Sequence, residues 1–317
     1  MNNSGRNMTN WPDLSTNETT TDDALALINA YAVLDVSGED TEKLLQGQCS
    51  ADIGALAIGE SVPGSICTVK GRVITSFIAT KTSASVLLLM PRDLVSITTD
   101  YLKKYAAFFK VSLNQWLHPC VIANPQSNQL PQDLYIACDF QLGNHSFHAG
   151  ILDQPGHQKL IDFLQSSQEQ EKQLAAEAIW LDSLMEAGWL LLNDKTSEEY
   201  LPHQLNLDLL GAINFKKGCY TGQEIIARME YRGKSKKRLK VITLIGDCPK
   251  NEILPAAIQS TDDAQSLGEL IQLNSSHQKG LALLPVDIPE QGSFICEGTL
   301  LKYAAWHSAK IIRQFAN

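Results

Sequence analysis

The sequence lacks every short motif that would identify a common enzyme class directly. No GxGxxG, Walker loop, HExxH or GxSxG occurs among its 317 residues. Seven cysteines are present, but none form a CxxC pair, and the closest two lie 18 residues apart. Zinc sites require tighter spacing, so we expect no preassembled metal site. An odd number of unpaired cysteines is typical of reduced thiols in a cytoplasmic protein.

Long apolar runs are also missing. No run approaches the roughly 18 residues of a membrane-spanning helix, so we expect no membrane association. The first residues lack the basic and apolar pattern of a signal peptide. Residues 1–21 are rich in Asn, Thr and Ser, and this composition predicts a disordered tail.

Positive charge is scarce except in one segment. The net charge is −9 and the pI is near 5.3, the opposite of a dedicated nucleic-acid binder, so direct nucleic-acid binding is doubtful. Between Arg228 and Lys240, however, seven basic residues occur against Glu230 alone. This run is either a local anion site or docking patch, or a solvated linker between domains, and both interpretations stay open.

The sequence pattern of residues 22–116 predicts a first α+β lobe. Alternating apolar residues from Tyr31 to Val36 indicate a strand, and a helix follows as far as Gly47. Lys70-Gly71-Arg72 predicts a tight turn between two further strands. The remaining elements are a strand at Ser85–Met90, a helix beginning at Pro91 and a strand at Val111–Trp116.

A similar order recurs in residues 117–235, which predict a second α+β lobe. Its elements are three short strands, a helical region at His157–Ala187 that breaks near Ser166, and a buried strand at Trp189–Leu192. Residues 236–317 show only strands and polar turns, at Leu239–Ile245, Ser266–Leu273, Gly280–Pro285 and Ser293–Ala304. They predict a small C-terminal β-barrel.

The helical region carries a tryptophan off its apolar stripe. Leu174, Ala178, Leu181 and Met185 follow helical spacing, and Trp180 lies roughly 100° away from them. A large aromatic in this place either lines a cleft or packs against a neighbouring domain, the more common arrangement.

Cys219 stands in the segment with the most special residue types, Phe215–Glu224. Thr221 and Glu224 fit a capping box, with Thr at the N-cap and Glu at N3. The helix start and the adjacent Lys216 and Lys217 would favour a thiolate at Cys219. Such a cysteine is a nucleophile, a soft-metal ligand or a redox group, or else a small buried hydrophobe beside a capped helix.

This segment closely resembles the signature of YgfZ-type folate-binding proteins, relatives of the glycine-cleavage aminomethyltransferase. Further blocks resemble that family in the same order, over about Tyr31 to Arg232. The signature consists of Lys217, Gly218, Cys219, Tyr220, Gly222, Gln223 and Glu224 with their neighbours, and the supporting blocks are Leu45–Gln48 with Asp52, Lys70–Arg72, Glu186–Gly188 and Tyr200–Gln204 with Asn206 and Leu207.

The resemblance implies a fold and a function. The fold would be two intertwined ferredoxin-like lobes plus a C-terminal β-barrel, arranged as a ring around a cleft. The function would be tetrahydrofolate binding in that cleft, with support of iron–sulfur proteins such as tRNA-thiolating enzymes. Tyr31 and Trp180 match the family's aromatic folate contacts, with Tyr31 standing where close relatives have Trp.

Residue roles follow from the same resemblance. Cys219 takes the place of the family's key thiol, and Glu186 becomes a candidate acceptor for pterin N–H groups, since a carboxylate accepts two such bonds. An accessory folate-binding protein fits better than a classical transferase. One alternative is a folate-dependent aminomethyltransferase or other one-carbon transferase, and the cysteine-containing signature argues against it. The other is a tRNA-binding module that acts through Arg228–Lys240, but the net acidity of the chain makes direct tRNA binding doubtful.

Overall fold

The computed structural model describes residues 25–118, 120–124, 130–166, 177–245, 254–262, 265–289, 291–296 and 299–306. The predicted tail at 1–21, Leu174 and Cys248 lie outside these residues. No helix in the described part of the chain is long and apolar enough to cross a membrane.

The first sheet has five antiparallel strands, in the spatial order Ser61–Cys67, Val73–Lys81, Ser85–Pro91, Tyr31–Ser37 and Ser112–Trp116. The first strand among the described residues, β1 (Ala26–Leu27), belongs to the second sheet. The elements of the first lobe are β2 (Tyr31–Ser37), α1 (Thr41–Gln48), β3 (Ser61–Cys67), β4 (Val73–Lys81), β5 (Ser85–Pro91), a 3-10 helix (Arg92–Leu94), α2 (Val95–Ala106) and β6 (Ser112–Trp116). The order of strands and helices from Tyr31 to Trp116 is the one that the sequence predicts.

Strand β2 is buried on both faces of this sheet. Leu34 packs with Leu44 of α1 and Leu102 of α2 in one core. Tyr31 and Val33 point to the opposite face, into a larger core shared with the second lobe. Because successive strand side chains alternate between faces, this strand is apolar at nearly every position.

The second sheet has four antiparallel strands, in the spatial order Ala26–Leu27, Val121–Ala123, His145–Ile151 and Ile136–Leu142. Its remaining elements are β7 (Val121–Ala123), a 3-10 helix (Gln132–Leu134), β8 (Ile136–Leu142), β9 (His145–Ile151), α3 (Gln154–Ser166) and α4 (Glu177–Glu186). Ala26 pairs with Ala123, so the described part of the chain adds a strand to the second sheet before it builds the first.

The C-terminal part is a closed antiparallel barrel that follows α5 (Gln223–Arg232). Each of its six strands pairs with two others. The strands are β10 (Lys237–Ile245), β11 (Ala256–Ser260), β12 (Ser266–Leu273), β13 (Lys279–Pro285), β14 (Gln291–Cys296) and β15 (Thr299–Trp306). Phe294 and Ile242 lie in its core.

Three sequence predictions about elements were wrong. The predicted strand Trp189–Leu192 is buried but makes no strand pairing, since the backbone N–H of Leu191 bonds instead to the Gln272 side chain at 3.0 Å. The predicted strand Ser293–Ala304 is two strands, β14 and β15, paired with each other. The buried side of α4 runs through Trp180, Leu184 and Met185, whereas Ala178 and Leu181 are half-buried. Trp180 therefore belongs to the core face of its helix.

Candidate functional site

Tyr31 and Trp180 lie in direct contact. Their ring centroids are 5.8 Å apart, and the rings meet edge to face at 80°. Tyr31 stands at the start of β2 and Trp180 on α4, so elements from the two lobes bring the pair together. Both are almost fully buried, with 2% and 4% of their surfaces exposed. The structure thus joins two of the predicted folate contacts.

Further aromatic groups extend this pair. Trp189 donates a hydrogen bond from Nε1 to the Tyr31 hydroxyl at 3.2 Å, and burial raises the pKa of Tyr31. Phe147 lies edge to face against Trp180, with 6.5 Å between centroids. Phe147 stacks in turn on Phe140. Sequence reasoning missed Phe147 and Trp189, because neither lies near Tyr31 in the chain.

The indole N–H of Trp180 has no hydrogen-bond partner among the described residues, although it is buried. A buried donor without a partner costs free energy, and such groups in native structures usually have an unrecorded partner or a functional role. A cavity of about 510 Å³ lies one ring away, with Phe140 and Phe147 in its wall and Asp139 and Gln141 at its rim.

Glu186 is exposed and bound to the barrel. Its Oε1 accepts from Lys279 Nζ at 2.6 Å. One turn earlier on α4, Asp182 accepts from the backbone N–H and hydroxyl of Ser275. The structure therefore brings Tyr31 and Trp180 together but engages the third predicted folate contact, Glu186, with the β12–β13 hairpin.

Cys219 lies in an irregular loop, three residues before the N-cap of α5. Of the six cysteines that the structure describes, Cys219 alone is exposed. Burial raises the pKa of Cys49 and Cys67 to about 12, so these thiols stay protonated. The interpretation of Cys219 as a small buried hydrophobe is thus excluded.

The predicted capping box is wrong. Helix α5 begins at Gln223 with Gly222 at the N-cap in the left-handed conformation (φ 85°), without a side-chain cap. Thr221 instead donates from its hydroxyl to Gln48 Oε1 at 3.1 Å and from its backbone N–H to Gly47 O at 3.0 Å. The Thr221 hydroxyl therefore links the signature to the end of α1, and Gly222 occupies the N-cap of α5.

Lys217 also has a role that differs from the predicted one. Its Nζ donates to the carbonyls of Gln46, Cys49 and Ala51 at 2.7–2.9 Å, and it lies over the Tyr220 ring. These carbonyls lie in and just after the last turn of α1, where a cation is favourable. The Lys217 charge, predicted to favour a thiolate at Cys219, therefore binds the C-terminal end of α1 instead.

Two of the sequence blocks that carry the family resemblance, Leu45–Gln48 and Lys70–Arg72, contact the signature. The Lys70-Gly71-Arg72 turn packs so closely on Gly222 that a Cβ there would lie 2.7 Å from Thr68 O. Arg72 donates to the Glu199 carbonyl. Gln46 accepts from the backbone of Ile53 and donates to Asp52. Segments that are far apart in sequence therefore pack together around the signature.

The basic run behind the signature is partly neutralised. Arg238 makes a bidentate pair with Asp208 at 2.8 and 2.9 Å, and Lys240 donates to Val286 O. His203 lies 3.2 Å from Glu230, close enough to Asp208 for the three to hold a metal ion. The guanidinium already bound to Asp208 opposes a cation there. The C-terminal end of the basic run therefore lies at the junction with the barrel.

Comparison with known proteins gave consistent results. No family model matches the chain. A protein from Klebsiella pneumoniae described as tRNA-modifying protein YgfZ is 31% identical, over 68% of this chain and 70% of its own length. Proteins of the same description from Yersinia pestis and Colwellia psychrerythraea are 30% and 29% identical, over 68% and 67% of this chain and 69% of their own lengths.

Among solved structures, the chain resembles the glycine cleavage system aminomethyltransferase T from Bartonella henselae. The TM-score is 0.69 at 14% identity, over 92% of this chain and 86% of the other. At this identity the likeness describes the fold, a mixed α+β architecture of three antiparallel sheets.

Proposed function

The chain belongs to the YgfZ family of tRNA-modifying proteins, and from this premise we propose that it binds a reduced folate in support of iron–sulfur enzymes that modify tRNA. It would act in the cytoplasm as an accessory protein, with Cys219 as its functional thiol. The two intertwined lobes and the barrel would surround the folate cleft as a ring.

The observation that carries the folate proposal is the contact between Tyr31 and Trp180, with its unpartnered indole N–H. A bound folate would give that donor an acceptor, which removes the cost of leaving it unpaired. Tyr31 and Trp180 would hold the ring system of tetrahydrofolate, which supplies a one-carbon carrier when bound. The residues present therefore fit the group.

Glu186 is proposed to accept pterin N–H groups, which requires it to leave Lys279. Both partners are partly exposed, at 44% and 38%. Exposed ion pairs contribute about 0–1 kcal/mol, so the exchange costs little.

Titration with tetrahydrofolate, followed by tryptophan fluorescence, tests the folate site. We expect quenching in the wild type and most of it to disappear in Trp180→Phe. Trp116→Phe is the matched control, because Trp116 stacks on His118 and is not one of the proposed folate contacts, so the quenching should remain. An unquenched wild type would refute the proposal.

The exposure of Cys219 supports a chemical role for its thiol, since the other described cysteines are buried. Cys219→Ser should keep the fold and abolish support of tRNA thiolation, read out as thiolated tRNA levels in cells that depend on this protein. Lys103→Met, at an exposed position on α2, should retain support. Normal thiolation in Cys219→Ser would exclude this role.

A further inference from the structure

The surface around Cys219 is continuous across three segments. We call it the thiol face: the turn 69–72, the loop 215–219 and the outward side of α5. The turn touches the helix, because a Cβ on Gly71 would lie 3.0 Å from Ile225 Cβ. The loop touches its other end, where the Phe215 and Tyr231 rings are 6.3 Å apart.

The thiol face and the segment that follows it are strongly basic in a chain whose net charge is −9. They expose seven cations against Glu224 and Glu230, and Glu230 is already bonded to His203. The cations are Lys70, Arg72, Lys216, Arg228, Arg232, Lys234 and Lys236.

None of these seven cations has an ion-pair partner among the described residues. On other surfaces Lys81, Lys103 and Lys110 each pair with a carboxylate at 2.6–2.8 Å. Arg72 does bond to a backbone carbonyl, which leaves its charge uncompensated. Unpaired like charges gathered on one face repel one another, and an oppositely charged partner would relieve this.

Two large apolar side chains stand among the cations. Val69 is 71% exposed at the tip of the turn, and Tyr231 is 70% exposed on α5. Tyrosine and arginine are enriched in the centres of protein–protein interfaces. Glu224, four residues before Arg228 on the helix, would meet the phosphates of an RNA unfavourably, and the acidic chain as a whole would repel a polyanion.

We infer that the thiol face is the docking surface for an acidic protein, which it places over Cys219. The inference rests on the proposed function only for the role of the thiol. The cations attract the partner, Val69 and Tyr231 pack against it, and its contact region carries Asp and Glu.

Photocrosslinking with the full chain in cells tests this surface. The probe is p-benzoylphenylalanine at Val69 or Tyr231, with Phe108 as control because it is 83% exposed at the end of α2. The crosslinked protein is identified and purified, and its affinity is measured for the wild type and for Lys70→Glu/Arg228→Glu. Lys103→Glu/Lys159→Glu is the matched charge control.

We expect one acidic protein at Val69 and Tyr231 and not at Phe108. Charge reversal in Lys70→Glu/Arg228→Glu should weaken the binding of this partner at least about tenfold, whereas Lys103→Glu/Lys159→Glu should not weaken it. Binding should also protect Cys219 from alkylation by N-ethylmaleimide. Crosslinks to RNA, equal crosslinking at Phe108, or unchanged affinity in the reversal would overturn the inference.

The folate titration separates this test from the proposed function. Tetrahydrofolate should quench the tryptophan fluorescence of Lys70→Glu/Arg228→Glu as it does that of the wild type. Loss of partner binding with intact folate binding would therefore test the thiol face independently of the folate site. Circular dichroism checks the fold, and Lys70→Ser/Arg228→Gln replaces the reversal if that variant unfolds.

Discussion

Lys217 shows how a signature residue can be structural. Its ammonium group satisfies three carbonyls near the end of α1, and its bonds to those of Cys49 and Ala51 are buried. Lys217→Met would leave them without donors, and we expect it to lose about 2–4 kcal/mol of unfolding free energy. Lys216→Met should change little, because Lys216 is exposed and its recorded bond is through the backbone. Urea unfolding of both variants measures the difference in unfolding free energy. Equal losses in the two variants would contradict the role of Lys217 at the end of α1.

The same lysine predicts a pH dependence. Burial lowers the pKa of Lys217 from its ordinary value of 10.5, while Cys49 and Asp52 oppose the shift. Between the lowered pKa and 10.5 the unfolded chain binds more protons than the folded one. Wild-type stability relative to Lys217→Met should therefore rise with pH through this window and be constant below it. A fall through the window would contradict the assignment.

At the scale of elements, the start of α5 depends on Gly222. Its φ of 85° disfavours a side chain, and a Cβ would lie 2.7 Å from Thr68 O. We expect Gly222→Ala to cost about 2 kcal/mol or more, because it adds backbone strain and pushes the 68–72 turn away. Gly218→Ala is the control in the same loop, since its Cβ would meet nothing within 4 Å. Urea unfolding should separate the two clearly, and similar midpoints would refute the close packing.

Local patterns predicted the elements of the first lobe, because alternation and turn residues there reflect local geometry. They failed at the capping box, since the Thr221 hydroxyl bonds to Gln48, 173 residues away. They also missed β1, a two-residue strand whose partner Ala123 follows nearly a hundred residues later. The site shows the same limit: the resemblance supplied Tyr31 and Trp180, whereas Phe147, Trp189 and the Lys217 contacts arise only from tertiary packing.

At the scale of the whole molecule, the barrel reaches back to the helix that carries Trp180. Lys279 binds Glu186, Ser275 binds Asp182 and Gln272 binds the backbone of Leu191. All these contacts come from β12, β13 or the turn between them, so one hairpin holds α4 and the segment after it. Sequence could not reveal this arrangement, because the paired residues are 81 or 93 positions apart.

This arrangement makes Lys279 a competitor of the proposed ligand for Glu186. Lys279→Met should therefore raise the affinity for tetrahydrofolate, by up to about fivefold, because an exposed ion pair contributes at most about 1 kcal/mol. Fluorescence titration measures the change. In Glu186→Gln the same lysine substitution should give no gain, since the carboxylate that it frees is absent. Unchanged or weaker binding in Lys279→Met alone would show that Glu186 holds the barrel and not the ligand.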